Sequence, residues 1–372
     1  MVERRPIVLA TGGTGGHVFP AEALAGELEA RGMPFALVTD SRGRQWQGAL
    51  SRQPIHYIHS ASPSGSLGAR LKALLSLGWG LFDAWRALGR IHPAAVVGFG
   101  GYASVPTMIA ARLRGTPAMV HEQNAVLGRA NRLIVGGVSR IATSFAPTRF
   151  VGDDRGWLVG NPVRDAVRAL RSSSYRAPGH DRVVDVLVFG GSQGAASFSQ
   201  VIPAALLSLE QPMRARLRIV QQCRPEDLQK VRSTYLQANI VAELAPFFAD
   251  LPQRLASAHL VIGRSGASTV AELATIGRPS ILIPYPYAAD DHQTANARAF
   301  EAAGACIVMP HAEFTAAALA GHLRALIEAP EHMAAMAAAA HAAGRPDAAA
   351  RLADLVGDLI ATPSLSPSGV AA

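Results

Sequence analysis

The sequence predicts an α/β fold built from two similar parallel-sheet domains that face a shared cleft. The chain has 372 residues, which is more than one ordinary hydrophobic core organises. Short apolar runs alternate with helix-like runs along the whole chain, which is typical of parallel α/β layers. Two of these runs, at residues 7–10 and 183–189, lead into glycine-rich loops at 12–16 and 190–194. Because ligands bind at the carboxyl ends of parallel strands, we expect the site in the cleft.

Each strand is predicted from a short apolar run, and each helix from a longer run of helix formers. A first helix is expected at residues 21–31, where Gly32 ends it. The alanine-rich stretch 315–342 is expected to form two helices, because Pro330 interrupts it. The predicted strands lie at residues 7–10, 35–39, 95–97, 118–121 and 140–143 in the first half, and at 183–189, 218–221, 260–262 and 280–284 in the second.

The domain boundaries follow from breaks in this alternation. The pattern pauses around Asn161, and the Ser, Pro and Gly residues at 172–180 are typical of a surface linker. The predicted boundaries are 1–160 for an N-terminal domain, 161–340 for a C-terminal domain, 341–362 for a last helix that packs back toward the first domain, and 363–372 for a disordered tail.

The charge of the chain is unevenly distributed. The formal net charge is +8, with 17 Lys and Arg against 9 Asp and Glu up to Gly160, and 18 against 18 after it. A basic N-terminal half predicts an anionic partner, either nucleic acid or anionic lipid. No nucleic-acid motif and no interleaving of basic with aromatic residues accompanies the charge, so we expect no nucleic-acid partner.

Cysteine usage and hydropathy indicate a reducing, cytosolic environment. Cys223 and Cys306 lie far apart and fit no metal-ligand spacing. We expect no signal peptide, because the apolar run after Arg5 is short and ends at glycine. No uninterrupted apolar run reaches roughly 18 residues, so no transmembrane helix is expected.

The first glycine loop carries the most informative candidate residue, His17. Glycines let backbone N–H groups approach a charged ligand, and the helix that follows favours negative charge at its N-terminus. His17 can take a proton near neutral pH. The loop lacks the third glycine of G-x-G-x-x-G and the Lys-Ser/Thr of a P-loop, which disfavours a nicotinamide cofactor or an ATP-type phosphate site. The alternative is a tight corner with no ligand.

Two further stretches of the first half are expected at the same edge of the sheet. Residues 98–106 form a second glycine-rich loop, whose simpler interpretation is a tight turn. Four polar residues, 121–124, end an apolar strand and are hard to explain by packing alone. Asn124 is the expected ligand contact, and Glu122 is expected to orient a neighbour.

In the second half, residues 264–272 place small side chains at a helix start, where a phosphate can approach. Glu272 lies one to two turns further on and can accept hydrogen bonds from a ribose. The alternative is an acid that complements the helix dipole. Metal binding by Asp290, Asp291 and His292 is disfavoured, because one short cluster rarely supplies a complete coordination set.

The segment at 71–86 is unusually apolar and is flanked by Arg70, Arg86 and Arg90. On a helix, Leu71, Leu75, Phe82 and Trp85 could share one face with arginines at its rim, as in a segment that lies on a bilayer. A buried core helix explains the same pattern, and the two interpretations stay open here.

With these motifs in order, the sequence resembles the MurG family of peptidoglycan glycosyltransferases over residues 7 to about 360. Each motif alone is weak, but six in one order and spacing are specific. The motifs are residues 12–20 (GGTGGHVFP), 100–102 (GGY), 121–124 (HEQN), 160–164 (GNPVR), 190–194 (GGSQG) and 264–267 (RSGA).

The resemblance implies two Rossmann-like domains facing a central cleft, the GT-B architecture, and an inverting transfer. N-acetylglucosamine would move from UDP-N-acetylglucosamine to the muramoyl 4-hydroxyl of lipid I, giving lipid II, without a cofactor or a metal. The enzyme would sit peripherally on the cytoplasmic face of the bacterial inner membrane. Anionic lipids would bind its apolar segment, and the cell-wall synthesis machinery would be a further partner.

The resemblance also implies that the N-terminal domain faces the acceptor and the membrane, and that the C-terminal domain binds the nucleotide sugar. It further implies roles for individual residues. His17 would be the catalytic base. The acceptor side would use Thr14, Gly15, Gly16 and Asn124. On the donor side, Arg164 and Ser192 would contact the phosphates, and the backbone of Phe248 would contact the uracil. The nucleotide would be held by Ala267, Ser268, Thr269 and Glu272, with Glu272 on the ribose. The sugar hydroxyls would be bound by His292 and Gln293.

The sequence departs from the family pattern at three places. Thr11 stands where a small apolar residue is expected, residues 221–225 (QQCRP) replace His-Gln-x-Gly, and residues 291–293 (DHQ) replace Arg-Gln-Gln. The third departure makes Gln293 a firmer prediction than His292.

Three alternatives remain open on the sequence alone. Another UDP-sugar enzyme of this architecture, such as a glycolipid glycosyltransferase or a UDP-N-acetylglucosamine 2-epimerase, would share the donor residues, and an epimerase would need no lipid acceptor. A non-catalytic nucleotide-sugar sensor would keep Glu272 and Ser192 but gain nothing from His17. A nucleic-acid binder is suggested by charge alone.

Overall fold

The computed structural model describes residues 5–12, 15–40, 48–61, 66–152, 154–191 and 194–361. The chain forms two compact units. The N-terminal unit comprises Met1–Arg164 together with Asp347–Ala372, and the C-terminal unit comprises Asp165–Pro346. The expected tail at 363–372 lies outside the described residues.

The N-terminal unit contains a parallel sheet of seven strands in the order β3-β2-β1-β4-β5-β6-β7. All five strands predicted in this half are present. The strands are β1 Ile7–Ala10, β2 Phe35–Thr39, β3 Ile55–Tyr57, β4 Ala95–Gly98, β5 Ala118–Glu122, β6 Arg140–Thr143 and β7 Gly156–Leu158; the helices are α1 Gly15–Ala30, α2 Leu67–Ile91, α3 Ser104–Leu113, α4 Arg129–Ile134 and α14 Ala348–Ala361.

Helices cover both faces of this sheet. Along β1, Ile7 and Leu9 enter a core shared with α1 and α14, whereas Val8 and Ala10 enter a second core shared with α2 and α3. A strand buried on both faces has no need of polar residues, which is why its sequence is a continuous apolar run.

The start of the first helix differs from the prediction. α1 begins at Gly15, not at residue 21, so His17 lies in its first turn and Pro20 lies inside it. Pro20 removes only one intrahelical bond, because its missing N–H would have paired with the carbonyl of Gly16. Burial of Pro20, Ala21 and Leu24 stabilises the helix across a sequence of poor intrinsic helix propensity.

The C-terminal unit contains a parallel sheet of six strands in the order β10-β9-β8-β11-β12-β13. All four strands predicted here are present, although β12 ends at Leu282 before Pro284. The strands are β8 Val184–Phe189, β9 Leu217–Gln222, β10 Val241–Ala245, β11 Leu260–Gly263, β12 Ser280–Leu282 and β13 Cys306–Val308; the helices are α5 Asp165–Arg168, α6 Ala196–Leu207, α7 Gln211–Arg214, α8 Leu228–Gln237, α9 Leu251–Ser257, α10 Ala267–Ile276, α11 His292–Ala302, α12 Ala316–Glu328 and α13 Pro330–Ala343.

Pro330 divides the alanine-rich stretch as predicted, since α12 ends at Glu328 and α13 begins at Pro330. Beyond α13 the chain returns to the N-terminal unit. Leu352 and Val356 of α14 join the core that contains α1, and Arg31 of α1 donates to Asp354 over 2.6 Å. None of the described helices is both long and apolar enough to cross a membrane.

The packing of α14 gives a stability prediction. Leu352 is fully buried in the core of the N-terminal unit, so Leu352→Ala should lower the free energy of unfolding by roughly 2–5 kcal/mol. Ile360 lies on the same helix but is 38% exposed, and Ile360→Ala should cost less than about 1 kcal/mol. Urea unfolding of the two variants would measure this. Equal losses would show that α14 does not contribute its buried face to the core.

Candidate functional site

In the N-terminal unit, the candidate residues follow β1, β4 and β5, which are neighbours in the sheet. The ring of His17 lies against the backbone of Gly100 and Gly101. A Cβ atom at either glycine would come within 3.3 Å of the His17 ring, and both have positive φ (+90° and +74°). Glycine is therefore needed at both positions, for space and for backbone conformation.

A chain of hydrogen bonds connects His17 to the centre of the sheet edge. His17 Nδ1 lies 3.0 Å from Gln123 Oε1. Gln123 Nε2 donates to the carbonyl oxygens of Phe99 (3.0 Å) and His121 (2.9 Å) and lies 3.1 Å from His121 Nδ1. His121 Nε2 lies 2.9 Å from the carbonyl oxygen of Gly160. The sequence analysis did not single out Gln123, although it lies inside the polar run 121–124.

His121 is fully buried beneath His17. Burial lowers the pKa of the His121 imidazole to about 4, and the nearby His17 lowers it further, while the hydrogen bond to Gly160 opposes the shift. His121 is therefore neutral at physiological pH and serves as a hydrogen-bonding group, not as a charge.

Glu122 organises the loop that carries Asn124, as the sequence analysis expected. Its Oε1 accepts from the backbone N–H (3.0 Å) and the side-chain Nδ2 (3.2 Å) of Asn124. Its Oε2 accepts from the N–H of Gly128 and from Asn131 Nδ2, each over 2.8 Å. One buried carboxylate thus holds the loop from residue 122 to residue 131 in a single conformation.

The other predicted residues of this unit belong to the start of α1 or contact this helix, apart from Thr14. Gly15 and Gly16 are exposed at the start of α1. Thr14 lies outside the described residues. The Arg164 guanidinium stacks on Phe19 of α1, 4.4 Å from the ring centroid, so it reaches the helix that carries His17.

In the C-terminal unit, Gln222 joins two loops at the carboxyl edge of the sheet. Its Oε1 accepts from the N–H of Gly190 (3.1 Å), and its Nε2 donates to the carbonyl oxygens of Gly191 (3.0 Å) and Pro246 (3.1 Å). Gln222 lies in the stretch where the sequence departs from the family pattern, so sequence reasoning missed it.

Glycine is required in the loop at 190–194. A Cβ at Gly190 would lie 2.6 Å from the backbone nitrogen of Ala195, and Gly191 has a φ of +86°. Such a turn brings backbone groups close to anything bound before α6. The predicted phosphate contact Ser192 lies outside the described residues.

The loop after β11 is braced by Arg264, which is buried. Its Nη1 donates to the carbonyl oxygens of Ile283 (3.1 Å) and Pro284 (3.0 Å), and its Nη2 donates to Ser197 Oγ (3.1 Å). Arg264 therefore ties the loop after β12 and the start of α6 to the start of α10, which is a structural role that the motif alone did not reveal.

The N-terminus of α10 carries Ala267, Ser268 and Thr269. Its N-cap residue is Gly266, which offers no side-chain cap to the first N–H groups. The Ser268 hydroxyl is buried and has no hydrogen-bond partner among the described residues. Glu272, one turn further on, is 5% exposed. A buried hydroxyl without a partner beside an uncapped helix start is typical of a ligand-binding position.

Gln293 is attached to this cluster, His292 is the first residue of α11, and Phe248 follows the edge strand β10. Gln293 Oε1 accepts from the N–H of Tyr285 (2.9 Å), and its carbonyl oxygen accepts from Ser265 Oγ (2.8 Å). His292 Nδ1 donates to the carbonyl oxygen of Ala289 (2.8 Å). The Phe248 ring is buried beneath Arg254, whose guanidinium lies 4.4 Å from its centroid.

The turn at Asp290 and Asp291 has an unusual backbone conformation. Both residues have left-handed backbone conformations, with φ of +53° and +54°, and they lead into α11. Within the part of the chain that the structure describes, no group of three or more His, Cys, Asp or Glu side chains is placed to hold a metal ion.

The apolar segment of the first half lies on α2, and its aromatic residues are exposed. Leu75, Trp79, Phe82 and Trp85 are all on the surface, with Trp79 64% and Phe82 51% exposed. The alternative of a core helix with buried aromatics is therefore wrong. Arginines rim this surface: Arg114 stacks on Trp85 at 4.2 Å, and Arg86 lies 5.6 Å from the Phe82 centroid. The side chains of Arg70 and Leu71 lie outside the described part.

The chain is similar to known glycosyltransferases along most of its length. Residues 7–143 match the glycosyltransferase family 28 N-terminal domain, and residues 185–352 match the glycosyltransferase family 28 C-terminal domain. A protein of Rhodospirillum centenum is 54% identical over 94% of this chain and 93% of its own length. A protein of Paramagnetospirillum magneticum is 54% identical over 97% and 98%.

Both relatives bear the name UDP-N-acetylglucosamine–N-acetylmuramyl-(pentapeptide) pyrophosphoryl-undecaprenol N-acetylglucosamine transferase. Among solved structures, MurG of Acinetobacter baumannii superposes with a TM-score of 0.77 at 29% identity, covering 95% of this chain and 99% of that one.

The buried His121 predicts an acid-sensitive stability. Its folded-state pKa of about 4 lies below the ordinary value, so between pH 6.5 and 4 the unfolded chain binds a proton that the folded chain does not. The stability associated with neutral His121 is present above pH 6.5 and is lost as the pH falls toward 4. At pH 4.5 the loss relative to pH 7 should be on the order of 2 kcal/mol.

The test compares urea unfolding at pH 7 and pH 4.5 for the wild type, His121→Gln and the exposed control His180→Gln. Acid should destabilise the wild type and His180→Gln more than His121→Gln. The same acid loss in all three proteins would contradict the assignment.

Proposed function

The chain belongs to glycosyltransferase family 28, and from this membership we propose how its residues carry out the transfer of N-acetylglucosamine from UDP-N-acetylglucosamine to the undecaprenyl-pyrophosphoryl-muramoyl-pentapeptide. The two parallel-sheet units are those of the GT-B glycosyltransferases, as predicted. The chain is a hexosyltransferase of lipid II synthesis, like the relatives that match it along almost their whole length. These similarities favour the transferase over the epimerase, the sensor and the nucleic-acid binder.

We propose that His17 is the general base. Its imidazole lies in the first turn of α1 against Gly100 and Gly101, at the carboxyl edge of the sheet, and Gln123 Oε1 lies 3.0 Å from its Nδ1. This placement supports the proposal, because a positioned imidazole is the most common general base in enzymes. The muramoyl 4-hydroxyl gives its proton to His17 as its oxygen attacks the anomeric carbon. The bond from that carbon to UDP breaks on the opposite face, so the configuration inverts.

The C-terminal unit binds the donor in this proposal. Ala267, Ser268 and Thr269 offer backbone N–H groups and an unpartnered hydroxyl to the diphosphate, and Glu272 accepts from the ribose hydroxyls. The glycine loop with Ser192 completes the phosphate contacts. The backbone of Phe248 contacts the uracil, and His292 and Gln293 contact the sugar hydroxyls.

The leaving diphosphate is stabilised by helix N-termini and by the positive charge of Arg164. Preorganised donors of this kind stabilise developing negative charge without reorganisation. Thr14, Gly15, Gly16 and Asn124 receive the acceptor in the same scheme. Glu122 supports it by fixing the orientation of the Asn124 amide.

We further propose that the α2 surface binds the cytoplasmic leaflet. Exposed Trp79, Phe82 and Trp85 beside stacked arginines fit an interfacial segment, in which aromatic rings enter the headgroup region and cations bind anionic lipid. A UDP-sugar substrate is made in the cytoplasm, and the acceptor is a membrane lipid, so a peripheral position serves both. Association with the cell-wall synthesis machinery stays a prediction.

The catalytic proposal is tested by UDP release with and without a lipid I analogue, repeated in EDTA. His17→Ala should lower turnover by roughly 10²- to 10⁴-fold, the usual contribution of a general base, while UDP-N-acetylglucosamine binding stays within about twofold. The exposed control His332→Ala should turn over like the wild type. Release should require the acceptor and should survive EDTA.

Different results would contradict the base role, the need for an acceptor and the independence from metal. Wild-type turnover by His17→Ala would remove the base role. Release without acceptor would point to an epimerase-like reaction, and loss in EDTA would require a metal.

The membrane proposal is tested by sedimentation with vesicles of anionic or zwitterionic lipid. Trp79→Ser with Phe82→Ser should lower the partition coefficient on anionic vesicles by roughly 10- to 100-fold, because the lost apolar area no longer leaves water. Leu236→Ser is the matched control, since Leu236 of α8 is 70% exposed in the other unit. An equal effect of both changes would place the membrane contact elsewhere.

A further inference from the structure

We propose that Gln123 is a positioning residue that holds neutral His17 as the Nδ1–H tautomer and thereby assigns Nε2 as the nitrogen that takes the acceptor's proton. This inference rests on the proposed function, because it concerns how the proposed base is prepared. It adds a residue and a specific atom to the reaction, and each step follows from the hydrogen bonds within the N-terminal unit.

The orientation of the Gln123 amide is determined by its surroundings. Gln123 is 1% exposed, so protein groups decide which way it points. One end of the amide lies 3.0 Å from the carbonyl oxygen of Phe99 and 2.9 Å from that of His121. Carbonyl oxygens only accept, so this end must be the NH₂ group. Its oxygen therefore faces His17.

The tautomer of His17 follows from this orientation. Gln123 Oε1 only accepts, so the Nδ1 atom 3.0 Å away must donate and must carry the proton. In the neutral ring, Nε2 then keeps its lone pair and can act as a base. A histidine in water carries its proton mainly on Nε2, which is the unproductive form here. Gln123 thus selects the tautomer that water does not favour.

His121 completes the arrangement with the opposite tautomer. Its Nε2 must donate to the carbonyl oxygen of Gly160 (2.9 Å), so its Nδ1 carries a lone pair, and this lone pair faces the Gln123 NH₂ group at 3.1 Å. Burial lowers the pKa of His121 to about 4, so this ring stays neutral and keeps the lone pair that the arrangement needs. No donor faces another donor between His17 and Gly160. A reversed Gln123 amide would instead place its oxygen against the carbonyl oxygens of Phe99 and His121.

The direct test is the tautomer of His17 in the whole protein, read from the ¹⁵N shifts of the two ring nitrogens. The His17 signals are assigned by their absence in His17→Ala. At a pH where His17 is neutral, the wild type should show the Nδ1–H form for His17 and the Nε2–H form for His121. An Nε2–H form for His17 in the wild type would overturn the proposal, whatever the activity of His17→Ala.

The kinetic test uses two variants of similar size. Gln123→Met removes the acceptor and should lower kcat roughly 10- to 100-fold, with the KM for UDP-N-acetylglucosamine within about twofold, because part of the general-base contribution is lost. Gln123→Glu can present an oxygen to His17 whether or not it is protonated. It should retain the Nδ1–H tautomer and more of the activity than Gln123→Met.

A double variant separates a positioning role from general damage. If Gln123 acts through His17, then Gln123→Met should lower turnover no further in the His17→Ala background than His17→Ala does alone. An undiminished additional loss would overturn the proposal. The base role can fail separately: His17→Ala with wild-type turnover removes the proposed base, whereas the ¹⁵N shifts still decide whether Gln123 sets the tautomer.

Discussion

The constraint on which the rest of this structure depends is that helices cover both faces of the N-terminal sheet and bury most of the C-terminal one. Along β1, alternate residues enter two different cores, and no face remains for a polar side chain. In such a sheet the functional groups can emerge only beyond the ends of the strands. His17, the run 121–124, the glycine loop at 190–194 and the start of α10 all lie at carboxyl ends, because nowhere else in the layers accommodates them.

The missing side chains of glycines have two different uses at these edges. Gly100 and Gly101 leave the space that the His17 ring occupies, so there the absence of Cβ positions a side chain. Gly190 and Gly191 let the chain turn tightly before α6, so there the absence of Cβ exposes backbone. In the sequence, both places appear alike as glycine-rich loops. Only the contacts show which use each one has.

The same burial explains which strands could be predicted. All nine central strands lie in runs that the sequence analysis identified, because a strand buried on both faces must be apolar. The four strands it missed, β3, β7, β10 and β13, are the four edges of the two sheets. Edge strands are short or half-exposed, as in β7 and β10, so their sequences carry no clear apolar run. The early start of α1 was missed for a related reason, since its stability comes from packing and not from helix propensity.

The site residues that sequence reasoning missed are neutral amides, and their neutrality is part of their use. Gln123 and Gln222 each contact groups far away in the chain and carry no charge. The polar run 121–124 therefore did not distinguish Gln123 from its neighbours, and nothing local marked Gln222. A carboxylate in place of Gln123 would also accept from His17, but it would leave the carbonyl oxygens of Phe99 and His121 without the amide N–H groups that fix the orientation of this side chain. A carboxylate in place of Gln222 would put negative charge behind a loop proposed to bind a diphosphate. An amide provides a directed donor and acceptor without either effect, which explains why the two residues that hold the proposed base and the proposed phosphate loop are both glutamines.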